Sequence, residues 1–121
     1  RHQVNVTTQL TARVLDLPKE KYSVSFQSRL GADAWLKPFT VEQLMEFPKR
    51  GIKNLLIACQ AFVSDCLETL EEIEIEGRET FMENGGESFE LIPCLNDGVE
   101  WIEALAALVK KEIVSSVVET T

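Results

Sequence analysis

Three glutamates at a constant interval are the residues whose type and spacing best suit chemistry. Glu68, Glu72 and Glu76, in the run DCLETLEEIEIEGRE, stand at i, i+4 and i+8. On a helix that interval stacks them along one face, about one turn apart. Like charges four residues apart each cost about 0.2–0.5 kcal/mol, so such a row calls for water, protons or a cation. Carboxylates in file can accept protons and serve as hard oxygen ligands for a divalent metal in transit. The spacing alone favours a plainer reading, a solvated acidic face whose Asp65 and Glu68 complement the positive end of the helix dipole. Glu71 and Glu74 fall off the row, and Leu67, Leu70 and Ile73 are expected to supply its packing side.

A second group is apolar and flat. Trp35, Leu36 and Phe39 crowd one loop, and Phe62 stands in another. Aromatics at the ends of strands can line a slot for a planar ligand, or close a small satellite core. Arg29 is able to meet a ligand carboxylate with a bidentate fork. His2, the one histidine, lies at the chain start and is read as a bystander, so no Cys–His or Ser–His pair has a credible third member. Cys59, Cys66 and Cys94 show no close metal spacing, and their odd number suggests reduced thiols in a cytosolic setting.

These groups need elements to hold them. Residues 3–16 carry Val6, Leu10 and Val14 at helical spacing before Pro18. YSVSFQ (22–27) alternates as a strand does, and 28–40 reads as a loop. Thr40 is expected to cap the helix TVEQLMEF, with Gln43 completing a capping box. LLIAC (55–59) reads as a strand buried on both faces, and QAFVSD follows as a loop. A long acidic α-helix is expected from Cys66 to about Glu83, ended by Gly85–Gly86. FELIPCL (89–95) is a third strand, and Asn96 or Asp97 is the expected cap of a final amphipathic helix with Trp101, Leu105, Leu108, Val109 and Ile113. Alternation of helices and strands predicts an α/β fold with an open parallel sheet flanked by helices, a three-layer αβα half. Such sheets bind ligands beyond the carboxyl ends of their strands, where both informative loops fall.

Bulk properties narrow the options. A chain of 121 residues with 45% hydrophobic and 26% charged residues suits a single domain spanning 1–121. A net charge of -8 argues against a nucleic-acid partner, which would need a basic surface. It also argues against steady adhesion to anionic lipid, although a local apolar lip could make peripheral membrane contact. No apolar run approaches the roughly 18–20 residues of a membrane span. RHQVNVTTQL has neither an initiator Met nor an apolar h-region, and is read as an internal cut through a longer protein.

Two stretches together resemble the ferrochelatase family. SFQSRLGADAWLKPFT is similar to its strand, Q-S-K/R, Gly loop and W-L-x-P-x-T segment; AFVSDCLETLEEIEIEGRE is similar to its A-F-x-S-D-x-x-E-T-L-x-E-x-x-I-E signature. LIPCLND, Trp101 and the closing helix match the way bacterial members end, so the resemblance covers essentially the whole chain. It implies insertion of ferrous iron into a porphyrin, protoporphyrin IX or coproporphyrin III, in haem biosynthesis. Glu68 would be the catalytic carboxylate below the macrocycle, and Asp65 would help orient the site. Glu68, Glu72 and Glu76 would handle metal or protons, Trp35 and Phe62 would line the porphyrin cleft, and Gln27, Ser28 and Arg29 would sit at its edge. The chain would be the C-terminal domain of a two-domain cytoplasmic enzyme. The family's essential histidine, in an S-x-H-S-like segment, would come from the missing N-terminal half, so the isolated chain is expected to be inactive. A Cys at position 66, where many animal members have His, points to the bacterial type. Iron is substrate here, with no permanently bound cofactor and no iron–sulfur cluster expected. Other readings are a porphyrin- or metal-binding module without turnover and a related cobalt chelatase.

Overall fold

In the computed structural model, which describes residues 2–27 and 36–118, the chain runs helix, helix, strand, helix, strand, helix. Helix α1 (His2–Val14) is followed by a short 3-10 turn at Lys19–Lys21, and α2 spans Thr40–Lys49. Strand β1 (Asn54–Ala58) leads into a π-helix (Glu68–Gly77) that continues as α3 (Arg78–Glu83). Strand β2 (Ser88–Ile92) and helix α4 (Val99–Val118) complete the order. β1 and β2 pair in parallel, Asn54 opposite Ser88 through Ala58 opposite Ile92. The expected α/β class, a parallel sheet with flanking helices, is what forms.

The core lies between that sheet and the helices. Leu44 from α2, Ile73 from the π-helix, Phe81 from α3 and Phe89 from β2 are buried together, and Leu55, Ile57 and Leu91 pack around them. Phe81 is fully buried and its ring meets Phe89 at a centroid distance of 6.0 Å. Alternation along the strands puts Leu55, Ile57, Phe89 and Leu91 on this side. The Gly85–Gly86 ending is as expected: Gly85 takes φ +98, its N–H donates to Met82 O, and Gly86 N–H reaches back to Phe81 O at 3.0 Å. Gly51 ends α2 the same way, at φ +83.

Four expectations need correcting. Residues 22–27 do not form a strand; they make one isolated parallel bridge, Phe26 with Phe39, because alternation supplies a face but not a paired neighbour. Thr40 is not a cap. It is the first helical residue, buried, with its hydroxyl 3.0 Å from that of Ser25, and Phe39 at the cap position makes no side-chain bond, so no capping box exists. β1 is not covered on both faces, since Leu56 on its outer side is 60% exposed. Neither Asn96 nor Asp97 caps α4, whose first bond runs from Ile102 N–H to Gly98 O; the Asn96 side chain turns to Asp65 instead.

Much apolar surface remains uncovered. Leu56 and Ile92 on the outer sheet face, and Ile102, Leu105, Leu108, Val109 and Ile113 along α4, are exposed. The accessible surface of 9233 Å² compares with about 6,600 Å² for a compact monomer of 13.6 kDa. Exposed apolar side chains in such numbers mark surfaces that meet other protein. No helix among the described residues is long and apolar enough to cross a membrane.

Candidate active site

The acidic segment is wound more widely than an α-helix. From Glu68 to Gly77 the backbone follows the i→i+5 pattern of a π-helix, a form rare beyond single turns and frequent at functional sites. The reason shows in what it buries. Thr69, Ile73, Gly77 and Phe81 are all buried, each four residues after the last. In α geometry such a stripe would drift by about 40° per step and leave the core before its fourth member. A turn of roughly four to five residues keeps it facing Leu44 and Phe89. Gly77 lets the helix come close: a Cβ there would stand 3.2 Å from Leu44 Cδ1 and 3.3 Å from Glu72 O, so these neighbours would have to give by a few tenths of an ångström. Leu67 and Leu70, expected on the packing side, are exposed; Thr69 and Gly77 take that side with Ile73.

The glutamates form the adjoining row. Glu68 and Glu72 are half-buried and Glu76 is exposed, so the file runs from partly sheltered to open water. Gln27 donates from Nε2 to Glu72 Oε2 at 2.9 Å, across 45 positions of sequence. The bridge that precedes it, with Phe26 N–H on Pro38 O and Thr40 N–H on Phe26 O, brings Gln27 to the helix. Among the described residues no three His, Cys, Asp or Glu side chains converge as a ligand cluster; the glutamates make a file, not a closed cage. Off the row, Glu74 pairs with Arg78, whose guanidinium also donates to Phe89 O and lies 5.2 Å from the Phe89 ring centroid. That bracket sits where π-helix passes into α3.

Asp65 holds two loops together. Its Oδ2 accepts from Asn96 Nδ2 at 2.7 Å, its Oδ1 from Cys94 N–H at 3.3 Å and Thr69 Oγ1 at 3.1 Å, and its own N–H donates to Asn96 Oδ1 at 2.8 Å. Asn96 above all, then Cys94, hold the Asp65 carboxyl below the usual carboxylate range. Thr69 is fully buried, and its hydroxyl also accepts from Cys66 N–H at 3.0 Å. The cysteines are unpaired and half-buried. Burial, then Asp65 and Glu68, push the Cys59 thiol up. Burial and Asp65 bring Cys94 to about 11, so it stays protonated at neutral pH and packs as a small apolar group.

Phe62 is half-buried in the loop after β1, its N–H bonded to Cys59 O at 2.9 Å. Ser28, Arg29 and Trp35 lie outside the described residues. The structure thus joins Gln27 to Glu72, puts Glu68, Glu72 and Glu76 on one element, and ties Asp65 to the start of that element. Sequence reasoning passed over Thr69, Arg78 and Asn96 as site-shaping residues. The four-residue stripe Thr69–Ile73–Gly77–Phe81 was the signal that could have found the first of them.

Comparison with known proteins bears on the same elements. The family model described as Ferrochelatase matches residues 1–113. The chain is 50% identical over 111 residues to a ferrochelatase of Pseudomonas putida, covering 92% of this chain and 33% of that protein. A ferrochelatase of Opitutus terrae is 52% identical over 110 residues (91% and 32%), and one of Legionella pneumophila 47% over 113 (93% and 34%). The chain therefore spans about a third of the length of these relatives. With the family model running from α1 well into α4 and taking in the acidic π-helix, the chain belongs to the ferrochelatase family.

Proposed function

We propose that this chain is the carboxylate side of an enzyme that inserts ferrous iron into a porphyrin. The observation that carries the reading is the file Glu68–Glu72–Glu76 on a π-helix, with its inner two members half-buried. Metallation forms four metal–nitrogen bonds, releases two pyrrole protons and strips water from the cation, with no change of oxidation state. Glu68 is assigned as the proton acceptor beneath the macrocycle, since a partly sheltered carboxylate is a competent base. Glu72, steadied by the Gln27 amide, and Glu76 at the open end relay the cation inward or protons outward. Phe62 and Trp35 are assigned to the porphyrin slot and Gln27, Ser28 and Arg29 to its edge, where the guanidinium of Arg29 suits a propionate. Asp65 orients the group rather than reacting. Iron is the substrate and no resident cofactor takes part; the setting is cytoplasmic.

The remainder of a longer polypeptide covers the bare sheet face and α4, and supplies the rest of the cleft, including a histidine. The excess apolar surface supports this part of the reading. The test is ferrous-dependent loss of protoporphyrin IX fluorescence by the full-length protein, with Glu68→Gln and Glu76→Gln beside it. Glu68→Gln should slow turnover by about 10²- to 10⁴-fold, the usual worth of a general base, while porphyrin binding persists; Glu76→Gln should raise the iron requirement. Full activity in Glu68→Gln would overturn the assignment. Binding of porphyrin or metal without turnover by the wild type would instead make the protein a carrier.

A further inference from the structure

We propose that Asn96 is a positioning residue for the glutamate file: its carboxamide, locked against Asp65, fixes the first turn of the π-helix and with it the direction of Glu68. This rests on the assignment of Glu68 above. Asn96 adopts φ +48, in the left-handed region that Asn tolerates better than most residues. That conformation turns its side chain away from α4 and onto a single partner. Nδ2 donates to Asp65 Oδ2 at 2.7 Å, while Oδ1 accepts from Asp65 N–H at 2.8 Å. Its backbone N–H also donates to Val63 O at 2.9 Å. The turn after β2 therefore grips the loop after β1 through backbone and side chain together.

Asp65 passes the grip onward. Its Oδ1 meets the hydroxyl of Thr69, a fully buried residue next to Glu68. The Thr69 hydroxyl takes the N–H of Cys66, and Leu70 N–H closes on Cys66 O at 2.9 Å. α- and π-helices differ in which carbonyl each N–H selects; the Leu70–Cys66 bond spans four residues, as in an α-helix, so this turn anchors the point from which the wider winding starts. A slip of one residue would swing each carboxylate by about 70–90° at four to five residues per turn and take Glu68 off its row. Both side-chain bonds of Asn96 to Asp65 serve this one contact.

A reciprocal exchange separates position from charge. In the full-length protein, Asp65→Asn combined with Asn96→Asp preserves every bond of the contact. The amide oxygen at 65 still accepts from Cys94 N–H and Thr69, its NH₂ donates to the carboxylate at 96, and that carboxylate accepts the backbone N–H of 65. Asp65→Asn alone sets two NH₂ groups against each other, and Asn96→Asp alone opposes two carboxylates. With ferrous ion and protoporphyrin IX, each single variant and Asn96→Ala should lose about tenfold or more in kcat, with KM for porphyrin unchanged. The double exchange should recover near wild-type kcat. Thermal midpoints are measured alongside, with rates taken well below them, because a purely structural role would lower the midpoint and leave kcat alone. Should the single variants fail to fold, the double exchange decides the matter alone. A folded double exchange with low kcat overturns the proposal, since it shows the charge of Asp65 itself is required; so does full kcat in Asn96→Ala. Full activity in Glu68→Gln would remove the underlying assignment instead, which keeps the two failures apart.

Discussion

Gly86→Ala should destabilise the protein, and the size follows from one contact. A Cβ built on Gly86 lies 2.3 Å from Cδ1 and Cε1 of Phe81 and 2.9 Å from Phe81 O. Carbon atoms rest at about 3.5–4.0 Å, so ring or backbone must retreat by about 1 Å or more. Neither moves easily. Phe81 is fully buried, its ring tilted at 52° to that of Phe89, in one core cluster with Leu44 and Ile73, while Gly86 N–H is bonded to Phe81 O in the turn that ends α3. Overpacking of this kind costs about 1–3 kcal/mol. The added methyl returns about 0.4–1 kcal/mol by restricting the unfolded chain, leaving a net loss of about 1.3 kcal/mol at the middle of the two ranges and between about 0 and 2.6 kcal/mol at their ends. Urea unfolding of the full-length protein reads it. Gly51→Ala is the control, because nothing stands within 4 Å of its Cβ and only the φ of +83 is penalised. Phe81→Leu in combination makes room for the methyl, so the double variant should be more stable than the summed losses by about 0.5–3 kcal/mol. A stabilising Gly86→Ala, or strict additivity of the pair, would refute the reasoning.

Two further outcomes are expected. Arg78→Ala removes the pair with Glu74, the bond to Phe89 O and the contact over the Phe89 ring. It should cost about 1–2 kcal/mol, with Arg78→Lys intermediate because the fork is lost but the charge kept, as read from thermal midpoints. The second is the acid limb. Asp65 is held below its ordinary value, so folding favours its ionised form; the stability it contributes is present above about pH 4 and is lost as pH falls through the depressed value. Asn96→Ala removes the largest cause of that depression, and acid unfolding followed by circular dichroism should begin at higher pH than in the wild type.

Regular elements were legible in the sequence where local chemistry decides them. Gly85–Gly86 announced the end of α3, and the order of helices and strands pointed to a parallel α/β sheet. Residues 22–27 were not, because alternation cannot say whether a neighbour is there to pair with. The acidic segment was legible as a helix carrying Glu68, Glu72 and Glu76, but its winding was read as α where it is π. Glutamates four apart suit either winding; the deciding residues were Thr69 and Gly77, a polar and a small side chain that no hydrophobic pattern counts as core. Asn96 looked like a cap because turn-forming Asn residues usually bond locally, and its true partner lies 31 positions away. Asp65 stood in the motif but gave no sign that its carboxylate binds the β2–α4 turn.

The bare face of the sheet has a consequence for the life of the chain before it is fully folded. β1 and β2 pair only after the π-helix and α3 have crossed between them, and parallel pairing of distant strands is slow. Until then LLIA and FELI, rich in strand-forming apolar residues, present open edges on which other chains can template. Glu90 faces outward on β2 directly opposite Leu56, flanked by Ser88 and with Asn54 at the head of β1. A charge in that register opposes the stacking of identical chains, as gatekeeper residues beside apolar strands do.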